Sequence, residues 1–165
     1  MKVLFICSSN ICRSPYCEFV FRRMVAEDPV LSANVEWVKS AAVINRMKTI
    51  HPKAKLALLR EGFSASEIDA HRPRYKRDDP VTFAEADVII GMTRGHRFFT
   101  PRRFRNKVVM LSEAATGHYT PIPDPFLKKD IEGYYAVMDE IKRYLERYAE
   151  RLRQEVLSAD PKQHG

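Results

Sequence analysis

The sequence predicts an α/β protein in which one domain is built on a parallel sheet with helices on both faces. Short apolar runs of strand type alternate with longer segments whose apolar residues recur at helical spacing, which is the pattern of βαβ units. The chain has 165 residues, the size of a single domain, and neither a linker nor an internal repeat interrupts it.

Each element is predicted from a local signal. The pair Ser14-Pro15 is expected to start the first helix, with Ser14 as the N-cap, and Asp28-Pro29 to end it. His51-Pro52 opens a second helix that runs to about Arg60 and is closed by Gly62. The predicted strands are Val3–Ile6, Val35–Val38 continuing to Ser40, Asp87–Ile90 and Lys107–Leu111, and further helices are predicted at Phe83–Ala86 and from Ile131 to about Val156.

The domain is predicted to span residues 1–157, with a frayed tail over residues 158–165. The longest apolar runs, Val3–Cys7 and Val88–Ile90, are strand-sized and too short to cross a bilayer. The N-terminal region does not read as a signal peptide, because its short apolar run leads straight into a polar loop. We therefore expect a cytoplasmic protein that does not contact the membrane.

The net charge of +7 favours anionic ligands. Basic residues cluster at Arg72–Arg77 and at Arg94–Lys107, where six Lys and Arg occur without an acid. Phenylalanines lie between the charges of the second cluster, a combination that also occurs in nucleic-acid sites. We interpret the cluster as a solvated basic face and expect no nucleic-acid partner.

The three cysteines, Cys7, Cys12 and Cys17, all lie in the first 17 residues. An odd number in a chain without a secretion signal argues against a disulfide framework. No nearby His or Cys completes a tetrahedral zinc set, so we predict neither a metal nor another cofactor. Cysteines grouped at a strand–helix junction favour reactivity instead.

The segment Cys7–Arg13 is predicted to be a phosphate-binding loop between the first strand and the first helix. Backbone N–H groups that converge at a helix N-terminus bind a tetrahedral oxyanion, and the Arg13 fork can clamp two of its oxygens. The same environment favours the Cys7 thiolate, which is then placed to attack phosphorus and form a phosphocysteine. The Ser14 hydroxyl could donate a hydrogen bond to that sulfur.

Phosphate-ester hydrolysis also needs an acid for the leaving oxygen and a base for the attacking water. Asp124 is the candidate, in the segment PIPDPF at residues 121–126. The prolines on either side restrict the backbone and hold the carboxylate on a stiff loop. Taken alone, the segment favours an ordinary turn aspartate.

Together these motifs resemble the low-molecular-weight protein tyrosine phosphatases, over residues 3–148. The strongest match is VLFICSSNICRSP at residues 3–15, followed by PDPF at residues 123–126. Weaker matches are residues 40–42, the stretch from Gly62 to Arg72, and residues 87–92. The resemblance implies the same α/β fold and a cysteine-dependent phosphatase.

By position, the resemblance implies that Cys7 is the nucleophile, Arg13 the phosphate clamp and Asp124 the acid and then the base. It further implies that Cys12 can form a reversible disulfide with Cys7, whereas Cys17 is interpreted as a core residue. The phosphate-binding loop then comprises Ser8, Ser9, Asn10, Ile11, Cys12 and Ser14. Four residues are implied to support the loop by hydrogen bonds: Asn10, Ser14, Ser40 and His71. Asn10 suits a left-handed backbone on its own chemistry.

Ile11 and Phe126 are expected to line the substrate pocket. Family members that act on phosphoarginine carry Thr at the position of Ile11, and those that act on phosphotyrosine usually carry an aliphatic residue. Phe126 would pack on a substrate ring. The predicted substrate is a phosphotyrosine-containing protein or a small aryl phosphate, with inorganic phosphate as the product. Thr93 and Leu127 depart from the family pattern.

Other functions remain open on the sequence. An arsenate reductase on the same scaffold relays oxidation through further cysteines, and none follows Cys17. A protein-arginine phosphatase is disfavoured by Ile11. A non-catalytic basic module that binds phospho-ligands or nucleic acid needs neither a nucleophile nor an acid, so the presence of Cys7 and Asp124 argues against it.

Overall fold

A computed structural model describes residues 1–159 of the chain and contains a four-stranded sheet in the order β2-β1-β3-β4. All three strand pairs are parallel, which confirms the predicted fold class. The strands are β1 (Lys2–Cys7), β2 (Trp37–Ala42), β3 (Val88–Gly91) and β4 (Val108–Met110). Strand order reverses between β1 and β3, and the crevice at such a point is where open α/β sheets bind ligands.

Helices connect the strands and cover the sheet. They are α1 (Arg13–Glu27), α2 (Pro29–Asn34), α3 (Pro52–Arg60), α4 (Ala65–Asp69), α5 (Pro80–Glu85), α6 (Arg94–Phe99), α7 (Leu111–Thr116) and α8 (Ile131–Ala159). Two 3₁₀ helices lie at Arg102–Lys107 and Pro125–Leu127.

Two apolar cores lie on opposite faces of the sheet, because successive side chains of β1 point to opposite sides. Val3 and Phe5 pack into the larger core with α1 and α8, while Leu4 and Ile6 pack into the smaller one with Phe83 of α5. Helices on both faces were predicted. The strand that ends at Cys7 is therefore fixed from both sides.

Several element boundaries differ from the prediction. α1 begins at Arg13 rather than after Ser14, because the Ser14 hydroxyl bonds to other side chains and does not cap the helix. β2 lies two residues later than predicted and ends at Ala42. The helix predicted at 83–86 is α5, which starts at Pro80 with Asp79 as its cap, and the strand predicted at 107–111 shortens to β4 because α7 begins at Leu111.

The final helix is confirmed, and every apolar position that predicted it is buried. These are Tyr134, Val137, Met138, Ile141, Leu145, Tyr148 and Leu152. Ser158 and Ala159, predicted to fray, are its last two residues, and residues 160–165 of the predicted tail lie outside the described part. Within residues 1–159 no helix is both long enough and apolar enough to cross a membrane.

Candidate active site

The Cys7–Arg13 loop leaves the carboxyl end of β1 and enters α1. The segment after β2 holds it in place: N–H groups of residues 43–45 donate to the carbonyls of Cys7 and Ser8 at 2.9 to 3.1 Å. These carbonyls are thus occupied by the segment that follows β2. Within the described residues, no protein group accepts a hydrogen bond from the N–H groups of residues 8–12. The loop therefore keeps a set of donors free for an anion.

Asn10 adopts a left-handed backbone, with φ of 55°, as its chemistry predicted. Its side-chain oxygen accepts from the Arg74 N–H at 2.9 Å, which orients the amide. The amide nitrogen then donates to the hydroxyls of Ser14 and Ser40, each at 2.8 Å. His71 reaches the Asn10 carbonyl at 3.4 Å through Nε2. Three of the four residues expected to support the loop, Ser14, Ser40 and His71, thus hydrogen-bond to the fourth, the left-handed Asn10.

The directions of these hydrogen bonds can be followed to the sulfur of Cys7. Ser40 and Ser14 both receive a hydrogen from Asn10, so each must donate its own hydrogen elsewhere. Ser40 donates to the carboxylate of Glu18, and Ser14 Oγ lies 2.9 Å from Cys7 Sγ. A hydroxyl aimed at the sulfur stabilises a thiolate. The sequence did not predict a role for Glu18, because its position in the chain is that of an ordinary helix residue. In the structure it is buried beside the loop.

Arg13 is 4% exposed and holds a fixed orientation. Its Nη1 donates to the carbonyl of Ile122 at 3.0 Å, and its Nη2 lies 3.9 Å from Oδ2 of Asp124. The other carboxylate oxygen of Asp124 accepts from the Phe126 N–H at 3.0 Å and caps the short 3₁₀ helix. The Asp124 side chain stays 41% exposed. One of its oxygens is thus fixed by the backbone and the other faces Arg13.

Cys7 lies at the base of a cavity of about 400 Å³, with Arg13 and Asp124 also in its lining. Ile11 and Met47 form apolar walls. Phe126 forms another and is 64% exposed, with its ring edge-on to His51 at 5.7 Å between centroids. The loop residues Ser8, Ser9 and Cys12 also line the cavity, so the sequence motifs predicted to form one site do meet there.

Cys12 and Cys17 are buried free thiols, and Cys17 lies in the core as predicted. Burial raises the pKa of the Cys12 thiol to about 12, so this thiol is protonated at neutral pH. Among residues 1–159, no three His, Cys, Asp or Glu side chains come together as a metal-binding group.

The family model described as low molecular weight phosphotyrosine protein phosphatase matches residues 2–158. The chain belongs to this family. It is accordingly a cysteine-based phosphatase.

Individual relatives differ in their named substrate. A protein-arginine-phosphatase from Geobacillus stearothermophilus is 32% identical over 160 residues, which cover 93% of this chain and 97% of that protein. The low molecular weight phosphotyrosine protein phosphatase of Sus scrofa is 28% identical, covering 92% and 96%. A structure of the YwlE arginine phosphatase, a Cys-to-Ser variant with a phosphorylated active-site serine, superposes with a TM-score of 0.78 at 26% identity, covering 98% and 99%.

The structure adds to this phosphatase site a residue that the sequence analysis missed, His96. It lies in α6, just after β3, and is 2% exposed. Its Nδ1 accepts hydrogen bonds from the N–H groups of Met92 and Thr93 at 3.1 and 3.2 Å. Nε2 must then carry the hydrogen of the neutral ring, and it lies 3.2 Å from the Ser8 hydroxyl oxygen. The available signal was a histidine soon after a parallel strand, on the edge where the loop lies.

We expect His96 to reduce the stability of the phosphatase in acid. Burial and the nearby Arg13 lower the pKa of His96 from 6.5 to about 3. Between these values only the unfolded chain binds the proton, so the free energy of unfolding falls as pH falls, by on the order of 1 kcal/mol per pH unit. Urea unfolding at about pH 7 and about pH 5 should show a smaller loss for His96→Asn than for the wild type. Equal losses would contradict a buried neutral imidazole.

Proposed function

We propose that this phosphatase hydrolyses aryl phosphate monoesters, phosphotyrosine in proteins above all, through a phosphocysteine on Cys7. The observation that carries the proposal is the placement of three groups around one cavity. Cys7 Sγ lies at its base, the Arg13 fork beside it, and a carboxylate oxygen of Asp124 lies 3.9 Å from that fork. These groups supply a nucleophile, a clamp for the phosphoryl oxygens and a proton carrier.

In the first step the Cys7 thiolate attacks phosphorus. The sulfur–phosphorus bond forms as the bond to the leaving oxygen breaks, and protonated Asp124 gives its proton to that oxygen. The free N–H groups of the loop and the Arg13 guanidinium neutralise the charge on the remaining phosphoryl oxygens. Because the fold itself fixes these donors, little reorganisation is needed during the reaction.

In the second step a water molecule attacks the phosphocysteine. Asp124, now a carboxylate, takes a proton from the water as the new phosphorus–oxygen bond forms. The sulfur–phosphorus bond breaks, and inorganic phosphate and the thiolate are released. The Ser14 hydroxyl, 2.9 Å from Sγ, stabilises the departing sulfur. The phosphorylated active-site serine in the arginine phosphatase variant supports a covalent route on this scaffold.

The apolar walls of the cavity are suited to a substrate with an aromatic leaving group. Ile11 and Met47 offer apolar surface, and the exposed ring of Phe126 can pack on a substrate ring. A phosphotyrosine side chain presents a flat apolar ring next to its phosphoryl group. The pocket chemistry therefore matches an aryl phosphate.

Phosphoarginine is the second candidate, because a relative with 32% identity is named a protein-arginine-phosphatase. A guanidinium leaving group carries several N–H donors and needs oxygen acceptors around it. Among the described residues that line the cavity, Asp124 is the one acid, the other side-chain oxygens are those of Ser8, Ser9 and Asn45, and Ile11 offers no acceptor. These contacts favour phosphotyrosine over phosphoarginine.

The wild-type enzyme should hydrolyse a phosphotyrosyl peptide more efficiently than a phosphoarginyl peptide of the same sequence, with a metal chelator present. Ile11→Thr should shift the ratio of kcat/KM toward phosphoarginine by about tenfold, because the hydroxyl adds an acceptor and removes apolar contact. Ile11→Val is the matched control, since it keeps the branched apolar shape and should leave the ratio near that of the wild type. A wild-type preference for phosphoarginine would contradict the proposed substrate.

A reversible disulfide between Cys7 and Cys12 remains a prediction. Both cysteines line the cavity as free thiols. Because the Cys12 thiol stays protonated at neutral pH, oxidation by a peroxide would begin at Cys7.

A further inference from the structure

A second cavity of about 320 Å³ adjoins the catalytic one. Ser8, Arg13, Ile44 and Asp124 line both, so the two form neighbouring lobes that meet above the Cys7–Arg13 loop. The proposed reaction takes place in the first lobe and makes no use of the second. The second lobe thus offers space next to the catalytic one for part of a substrate larger than an aryl phosphate.

The second lobe carries little charge beyond the groups that it shares with the first. Its own lining is Thr93, Gly95, His96 and residues 121–123, of which two are proline. Arg13, its one cation among the described residues, is committed to Ile122, Asp124 and the phosphoryl group. A second anion therefore has no free cation to bind, and a neutral ligand with hydrogen-bond acceptors fits better.

The Ser8 hydroxyl supplies a donor at the junction of the lobes. Nε2 of His96 carries a hydrogen and donates it to Ser8 Oγ, because Nδ1 is occupied by two backbone N–H groups. The hydroxyl oxygen is thus an acceptor toward His96. Its own hydrogen finds no acceptor among residues 1–159, and it remains available to a ligand in the cavity.

We propose that the second lobe is a subsite for the peptide main chain next to the phosphorylated residue, in which Ser8 donates a hydrogen bond to a peptide carbonyl and His96 is the positioning residue that directs it. A peptide carbonyl is a neutral acceptor, and flat proline faces pack well against an extended main chain. The inference rests on the proposed function and adds the part of the substrate that lies beyond the aryl phosphate.

The hydrogen bond between His96 and Ser8 can be tested, because an asparagine side chain places an oxygen acceptor close to the position of Nδ1 in histidine. In His96→Asn, the amide oxygen replaces Nδ1 and still accepts from Met92 and Thr93, but the donor to Ser8 is lost. Ser8→Ala removes the proposed donor itself and needs no change in α6, so it tests the subsite even where a His96 variant folds poorly. The measured quantity is kcat/KM for a phosphotyrosyl peptide divided by kcat/KM for phenyl phosphate, which has no peptide carbonyl.

We expect each variant to lower this ratio about three- to tenfold, the effect of one neutral hydrogen bond, and the double variant to lower it no further than Ser8→Ala alone. An unchanged ratio, or equal losses on both substrates, would overturn the subsite while leaving the proposed function in place. A wild-type enzyme that hydrolyses no aryl phosphate would overturn the proposed function and the subsite with it.

Discussion

The Cys7→Ser variant is expected to lose turnover of every phosphate ester, with kcat falling roughly 10⁵- to 10⁶-fold, as for other removed nucleophiles. A serine hydroxyl is not ionised at neutral pH, and the Arg13 guanidinium and the free N–H groups cannot compensate for the loss of a thiolate. An alkoxide is also a poorer leaving group than a thiolate, so a phosphoryl group transferred to oxygen would not be released.

The measurement is steady-state hydrolysis of p-nitrophenyl phosphate, together with the binding of inorganic phosphate by calorimetry. Binding should survive the substitution, because the backbone donors of residues 8–12 and Arg13 remain. Cys17→Ala is the control, since it deletes a different buried thiol, one that lies in α1 and does not line the cavity, and it should remain active. Substantial turnover in Cys7→Ser would show that the sulfur is not the nucleophile.

The second large effect is expected for Asp124→Asn. Loss of a general acid should lower kcat by about 10²- to 10⁴-fold on phenyl phosphate, whose leaving oxygen needs a proton. The loss of kcat/KM, which reports the first step, should be smaller on p-nitrophenyl phosphate, because its leaving group departs without a proton. Asparagine keeps the acceptor for the Phe126 N–H, so the 3₁₀ helix that follows should stay in place.

Asp130→Asn is the matched control for charge. Asp130 lies in the same loop region, where it accepts from the Gly133 N–H at the start of α8, and it does not line the cavity. Its substitution should leave kcat close to that of the wild type. Equal losses in the two variants, or an Asp124→Asn effect on kcat/KM that does not depend on the leaving group, would contradict acid catalysis by Asp124.

Much of the fold could be predicted because its signals are local and strong. The apolar positions of α8 repeat over about five turns, and all of them are buried. The chemistry of Asn10 predicted its left-handed backbone. The βαβ alternation predicted a parallel sheet and therefore the edge at which the loop would lie.

The helices that were not predicted are short, and tertiary contacts rather than the local sequence determine that they form. α2, α4, α6 and α7 have five or six residues each, too few for a helical period to stand out. Ser14 shows how tertiary contacts prevail over a local signal. Its hydroxyl reads as a helix cap in the sequence, but in the structure it bonds to Cys7 and Asn10.

The residues of the candidate site that belong to a sequence motif were predicted. The residues that only the fold brings to the site were missed. Glu18 and His96 lie on separate helices and reach the loop through Ser40 and Ser8. Neither contact follows from spacing along the chain, because 22 residues separate Glu18 from Ser40 and 88 separate His96 from Ser8.

The proposed covalent intermediate on Cys7 is tested most directly by quenching the Asp124→Asn enzyme with denaturant during hydrolysis of p-nitrophenyl phosphate. This substrate allows the first step, while loss of the base slows attack by water, so the intermediate should accumulate. Intact mass and peptide mapping are expected to find one phosphoryl group, located on Cys7. Continued turnover with no phosphoryl group on Cys7 at any quench time would contradict the mechanism.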